Sequence, residues 1–343
     1  MSVSKTPLYR PHELAFRTQY AELKERTRSA ETLLPGTPGT LVKRTGTGRA
    51  YWYRVYQSAA GAQVEDLACR DGDEEALAGA RADLQFAQWT AAQVRNLRKL
   101  EFQVADKGVA GVLVALRNNG LLAPGLVVVG SLGYMAWLNE LGARSVSART
   151  QDIDLAAGQS LKQAPPQSFL ETVKASRLGF VPVPGMPNQV PSTSVKLKGR
   201  DGLRIDVLAH GALLGVPLPL PQLMWFAQTV PHYDYLLHQP REAAILAGGH
   251  CVPVLLAQPE RVMWHKFYTS AVRRNFPEKA AKDLLQAATL AAVLTEQEGE
   301  TLTESFAEVA GAMKGVLRKQ LPALRRALSA HAQTLEALEL ALT

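Results

Sequence analysis

Three carboxylates and one Gly-Ser pair carry the chemistry that this sequence could do. Asp152 and Asp154 stand two apart in Thr150-Gln151-Asp152-Ile153-Asp154-Leu155. On an extended strand, residues i and i+2 point to the same face, so both acids share it. Side by side they repel each other unless a divalent cation lies between them. Asp206 sits in Arg204-Ile205-Asp206-Val207-Leu208, where an unpartnered carboxylate inside an apolar run would be costly. It should therefore meet a cation as well, which makes it the third acid. Upstream, Leu126-Val127-Val128-Val129 ends in Gly130-Ser131, a turn from strand to helix in which Ser131 is placed to cap a helix beginning near Leu132. A helix start offers free N–H groups and a partial positive charge, which suit a phosphate. A phosphate cradle beside metal-binding acids is the apparatus of nucleotidyl transfer.

The elements that must position these residues follow from pattern. The apolar run before Gly130 is short and bounded by glycine, as a buried strand is. Thr193 to Lys198 and Leu203 to Leu208 alternate around Gly199-Arg200-Asp201-Gly202, which reads as a hairpin carrying Asp206. Between the Gly-Ser turn and the acids, residues 132–151 hold a helix to Leu141 and then an insertion with Arg144 and Arg149. Outside this core, residues 8–34 read as helix, stopped by Pro35-Gly36-Thr37-Pro38-Gly39. Thr40 to Leu67 is strand-like, with a turn at Ser58-Ala59-Ala60-Gly61, and Asp71 to Asn119 is mostly helical. A short helix follows over Ser168 to Leu178, and Val181 to Pro187 is too rich in proline for a central strand. From Pro217 onward the chain reads as helical, with Pro217, Pro219 and Pro221 as a stiff linker and Pro259 starting a helix.

The expected fold is α+β, a small mixed sheet flanked by helices. Its expected parts are an N-terminal helical segment (1–39), an aromatic and basic β-hairpin (40–70), a helical region (71–120), the catalytic core (121–215) and a C-terminal helical domain (216–343).

Composition bounds the function. The 343 residues carry a net charge of +7, but acids are interleaved with bases throughout, so an anionic partner is compatible and not required. Cys69 and Cys251 lie far apart without metal-binding spacing, which argues against a disulfide framework or zinc site and for a reducing cytoplasm. The N-terminus lacks the apolar stretch of a signal peptide, and Lys107, Arg117 and Asn118 break the most apolar run, so no membrane span is expected. Oligomeric state is left open.

With Gly130-Ser131, Asp152-x-Asp154 and Asp206 in this order, the chain resembles the DNA polymerase beta-type nucleotidyltransferase superfamily. More narrowly it resembles a bacterial nucleotidyltransferase-like family without an agreed substrate. The matching elements are Tyr51-Trp52-Tyr53, Gly130-Ser131, Thr150-x-Asp152-Ile153-Asp154-Leu155, Asp206, His265-Lys266 and Lys279-x-x-Lys282-Asp283. One departure is the long 132–151 interval, which exceeds the family's usual spacing between Gly-Ser and acids. The resemblance implies that Asp152, Asp154 and Asp206 hold two Mg2+ ions, with Mn2+ as an alternative, and that Asp206 helps deprotonate the attacking hydroxyl. It implies that Gly130 and Ser131 hold the β- and γ-phosphates of an NTP such as ATP, while Lys266 and Lys282 balance the triphosphate charge. The acceptor would be RNA, a protein side chain or a small molecule.

Two other readings compete. In one, the fold is kept without catalysis, as a binding module in a toxin–antitoxin or defence pair. In the other, Arg44, Arg49 and Arg54 beside Tyr51, Trp52 and Tyr53 stack bases and neutralise phosphates of a nucleic acid.

Overall fold

The computed structural model describes residues 6–46, 48–122, 125–146, 150–158, 167–199 and 202–343. Arg149, most of the loop after Ala157, and Arg200 and Asp201 of the expected hairpin turn lie outside those residues.

A two-residue strand, β1 (Arg10–Pro11), precedes helix α1 (Leu14–Arg28), so the first helix is shorter at both ends than its sequence suggests. β2 (Thr40–Gly46), β3 (Arg49–Gln57) and β4 (Gln63–Arg70) form an antiparallel three-stranded sheet rather than a single hairpin. The expected turn joins β3 to β4, with Ser58 N–H donating to the Ala62 carbonyl at 2.8 Å. α2 (Glu74–Lys99) is capped by the Asp73 carboxylate, and α3 (Lys107–Asn118) buries nearly all its apolar residues.

β5 (Leu126–Val129) is buried at every position and passes directly into α4 (Gly130–Glu140). β6 (Ala143–Arg144) then pairs antiparallel with β1, so the long interval is a folded helix and strand tied to the N-terminus. β7 (Asp152–Ala157) runs antiparallel to β5 and sets Asp154 opposite Val129, beside the Gly-Ser turn. The interval therefore does not carry the acids away from that turn. After α5 (Phe169–Lys174), which begins with a Ser168/Glu171 capping box, come β8 (Val181–Pro182), β9 (Ser194–Lys196) and β10 (Arg204–His210). β9 and β10 pair antiparallel as expected, and β10 lies parallel to β7 with Asp206 opposite Asp154.

Beyond Pro217 the helical expectation fails. β11 (Pro217–Leu220), β12 (Trp225–Val230), the short α6 (Tyr233–Leu236), β13 (Arg241–Ala247) and β14 (His250–Leu256) return to the same sheet. That sheet has nine strands among the described residues, with the path β11-β12-β10-β7-β5-β14-β13, β9 beside β10 and β8 beside β9. It is thus not small, and the supposed boundary at 215/216 falls inside it. The physical reasons are specific. Proline lacks an N–H and is confined to sheet edges, and β11 is the edge. β13 and β14 are apolar on both faces and lack the alternation that marks a half-exposed strand. Gly248-Gly249, with Gly248 at φ +62, makes their two-residue turn.

Helices alone follow from α7 (Pro259–Val272) and α8 (Pro277–Ala292), each with proline in its first turn. α9 (Leu302–Ala307), α10 (Gly311–Lys319), α11 (Leu321–Ala327) and α12 (Ala332–Leu342) complete the chain. One hydrophobic cluster joins sheet and helices, with Phe169, Trp264 and Phe267 fully buried in it. No described helix is long and apolar enough to cross a membrane.

Candidate active site

Gly130 is where the sheet and the acids touch. Its φ is +68, a region that side chains disfavour, and a Cβ placed there would lie 1.9 Å from Asp154 Oδ2. The glycine is thus required twice, for its dihedral and for its missing side chain. It lets the helix start two residues earlier than expected, with Val129 at the cap position. Ser131 therefore falls inside the first turn of α4 and does not cap it.

The acids converge as the sequence suggests. Asp152 and Asp154 share a face of β7, and Asp206 sits beside Asp154 on the neighbouring strand. Burial pushes the Asp154 carboxyl up to about 6, and the charges of Asp206 and Asp152 push the same way, against Lys266 and Lys279. Burial also raises Asp206, while Arg204 and a hydrogen bond from Ser194 pull it down and Asp152 pushes it up. The cation expected at Asp206 is supplied by the protein itself. Arg204 Nε donates to Asp206 Oδ1 at 2.8 Å, and its Nη2 donates to Ser194 Oγ at 2.9 Å.

The basic residues divide. Lys266, a proposed phosphate ligand, is buried with its Nζ 3.1 Å from Asp283 Oδ1. The other oxygen of Asp283 accepts from Arg273 Nη1 at 2.7 Å and from the Thr269 hydroxyl at 3.3 Å. Asp283 therefore pairs with α7 and Arg273 rather than with Lys279, the helical neighbour its spacing suggests. Lys282 is half-buried. Burial and the Lys266 charge lower its pKa, while Asp283, Asp152 and Asp154 oppose, which places its ammonium in the field of the acids. His265 is packed, edge-on to Tyr233 with ring centres 5.4 Å apart, and burial drives its pKa to about 3. Burial raises the Tyr233 hydroxyl too, and Asp154 is the next largest cause.

Carboxylate oxygens on one face, with burial and then mutual repulsion holding Asp154 up, are a donor set suited to a hard divalent cation. Among the described residues no group of three His, Cys, Asp or Glu side chains stands closed around an ion position, and Arg204 draws the Asp206 carboxylate to itself.

The aromatic hairpin is engaged internally. Arg54 donates to the carbonyls of Pro35, Thr37 and Pro38 at 2.6, 2.6 and 2.8 Å, and its guanidinium lies 3.8 Å over the Tyr56 ring. Arg44 pairs with Glu65, and Trp52 Nε1 donates to Asp71. Arg54 is thus committed within the chain, which weakens the nucleic-acid reading.

The family profile described as Nucleotidyltransferase matches residues 107–311, more than half of the chain. The chain belongs to the nucleotidyltransferase family. The match runs from α3 through the Gly-Ser turn, all three acids and both lysines, and leaves the three-stranded sheet outside it. Tyr51-Trp52-Tyr53 lies outside the matched residues. Comparison with curated proteins gives no match. Among solved structures, the chain is similar to an antigenic nucleotidyltransferase-like protein from Paracoccidioides brasiliensis. The two are 17% identical over 67% of this chain and 92% of that one, with a TM-score of 0.38.

Sequence reasoning gave no role to Arg204, Ser194, Tyr233 or the Asp283 hub. Arg204 was legible, since it stands at i−2 from Asp206 and so on the same strand face. The others are brought to the acids or to Lys266 only by the packing of separate elements.

Proposed function

We propose that this chain transfers a nucleoside monophosphate from an NTP to an acceptor hydroxyl, in the manner of polymerase beta-type nucleotidyltransferases. The observation that carries the reading is the contact between Gly130 and Asp154, which puts a helix N-terminus and a face of acids within one phosphate's reach. The N–H groups of Gly130 and Ser131 hold the β- and γ-phosphates, where the start of α4 favours negative charge. Lys282 and Lys279 face the same charge from α8. The charge of Lys266 is already shared with Asp283, so it contributes less than its position in sequence suggests. Bound at Asp152, Asp154 and Asp206, two Mg2+ ions (or Mn2+) would neutralise the triphosphate and make the attacking hydroxyl more acidic. Asp206 orients that hydroxyl and takes its proton once Arg204 releases it. The acceptor oxygen then bonds to the α-phosphorus as the α–β bond breaks and pyrophosphate leaves.

The test is incubation with Mg2+, α-labelled NTPs and either total tRNA or cell lysate, beside Asp152→Ala/Asp154→Ala. Label should enter one acceptor class and be lost to background in the variant. Label transfer that the variant retains refutes the assignment. The Arg204–Asp206 ion pair favours one alternative, a catalytically silent nucleotidyltransferase-fold binding module. That reading holds if no acceptor is labelled and calorimetry detects no Mg2+-NTP binding.

A further inference from the structure

A cavity of about 310 Å³ opens at the opposite end of the sheet from the acids. β14 runs parallel to β5, with Leu256 opposite Val128, so the turn at its start lies upwards of about 20 Å from the Gly130 corner. The cavity follows one face of α2, where Asp83, Phe86, Thr90, Val94, Arg95 and Arg98 recur at helical spacing over about 22 Å. Its other walls are the segment before β2, the turn after β3, the start of α3 and the Gly248-Gly249 turn. Bare backbone closes it in, since a Cβ on Gly248 would come within 2.9 Å of Ala110 Cβ and one on Gly111 within 2.6 Å of Ala59 Cβ.

Two features ask for a ligand. The hydroxyls of Ser58 and Thr90 line the cavity, belong to residues only 8% and 5% exposed, and have no hydrogen-bond partner among the described residues. A buried hydroxyl left unpaired is costly, and an apolar occupant would not relieve it. Arg95 and Arg98 stand toward one end of that α2 face, and Lys107, at the start of α3, lines the cavity with its Nζ 3.7 Å from where a Cβ on Gly61 would lie. Arg98 reaches the Ala105 carbonyl at 3.5 Å, two residues before Lys107. Asp83 stands at the other end of the α2 face, so an anion is drawn to one end and repelled from the other.

We infer that this cavity binds a phosphate monoester of about mononucleotide size. Its phosphate sits at Arg95, Arg98 and Lys107, and its hydrogen-bonding body lies along Phe86, Ser58 and Thr90. Three cations suit a dianion better than a single carboxylate, and the two hydroxyls suit a body with ring nitrogens or hydroxyls of its own. The inference does not depend on catalysis at the acids.

AMP is the probe, titrated by calorimetry without divalent ions into the full chain and into three variants. These are Arg95→Ala/Arg98→Ala, Ala87→Phe, which fills the cavity, and Asp152→Asn/Asp154→Asn, which disarms the other site. AMP should bind the wild type and the aspartate variant alike, with its dissociation constant raised about tenfold or more by the arginine pair and binding lost with Ala87→Phe. Both arginines are exposed, so their variant tests the idea even if Ala87→Phe fails to fold. The inference is overturned if AMP does not bind the wild type, if the arginine variant binds it unchanged, or if only the aspartate variant loses it. Inorganic phosphate binding as tightly as AMP would mean an adventitious ion only, and overturns it too.

Discussion

Two charged regions stand close together in this molecule and are built on opposite plans. Around Asp283, each oxygen has a cation: Lys266 takes one and Arg273 the other, with the Thr269 hydroxyl beside it. Around Asp154, the strongest influences after burial are two more carboxylates. The first region is electrically closed and holds α7 to α8. The second is open, held in a strained state of charge by the sheet that surrounds it. Closed charge builds structure, while charge left open at a glycine turn marks a place where something else is meant to bind.

The largest expected effect comes from breaking the closed region. Asp283→Ala leaves Lys266 buried and unpaired, and should destabilise the protein by about 3–5 kcal/mol in urea unfolding. The double change Lys266→Met/Asp283→Leu should recover most of that loss, because it removes both charges and keeps the volume. A double variant as unstable as the single one would show that the pair does more than satisfy itself.

Next to that hub, His265 gives the closed region a pH signature. Its pKa is held near 3 by burial, and then by Lys266, against an ordinary 6.5. The unfolded chain therefore binds a proton that the folded chain refuses. The resulting stability is complete above about pH 6.5 and is lost as pH falls, by about 3 kcal/mol on reaching pH 4. His265→Phe should flatten this part of the stability–pH curve.

The open region should show the reverse sign. Asp154 keeps its proton up to about pH 6 when folded, against an ordinary 3.8. Its contribution is complete below about pH 3.8 and is lost as pH rises through 6. In metal-free buffer, Asp154→Asn should therefore be more stable than wild type by about 3 kcal/mol above pH 6, and equal to it near pH 3. Added Mn2+ should stabilise the wild type and leave the variant nearly unmoved. If the variant were less stable at every pH, the crowding of carboxylates would not be the dominant feature of the site.

The open region was also the more legible of the two in sequence. Asp152 and Asp154 share a face by strand periodicity alone, and Gly130 marks its own turn. The prolines at 217 and 219 suggest a linker because proline breaks most strands, yet an edge strand tolerates it. β13 and β14 leave no mark in the pattern because a strand buried on both faces carries no alternation. The Lys266–Asp283 pair could not be read, since its partners are 17 residues apart on two helices whose packing angle no local pattern encodes.

Arg204 is paired directly with an acid of the open region, and the smallest expected effect tests its part. The pair with Asp206 has side chains 38% and 18% exposed, so removing it should cost under about 1 kcal/mol of stability. Its consequence for ion binding is more telling. Arg204 and a divalent cation compete for the same carboxylate, and only one can satisfy it. Arg204→Gln frees Asp206 and should tighten Mn2+ binding by up to about fivefold at pH 8, where the carboxylate is ionised with or without its partner. At pH 5 the gain should be smaller, because an Asp206 without Arg204 holds its proton to higher pH. Weaker Mn2+ binding at both pH values would mean that Arg204 orients the carboxylate instead of competing for it, and the open region would then be partly closed by design.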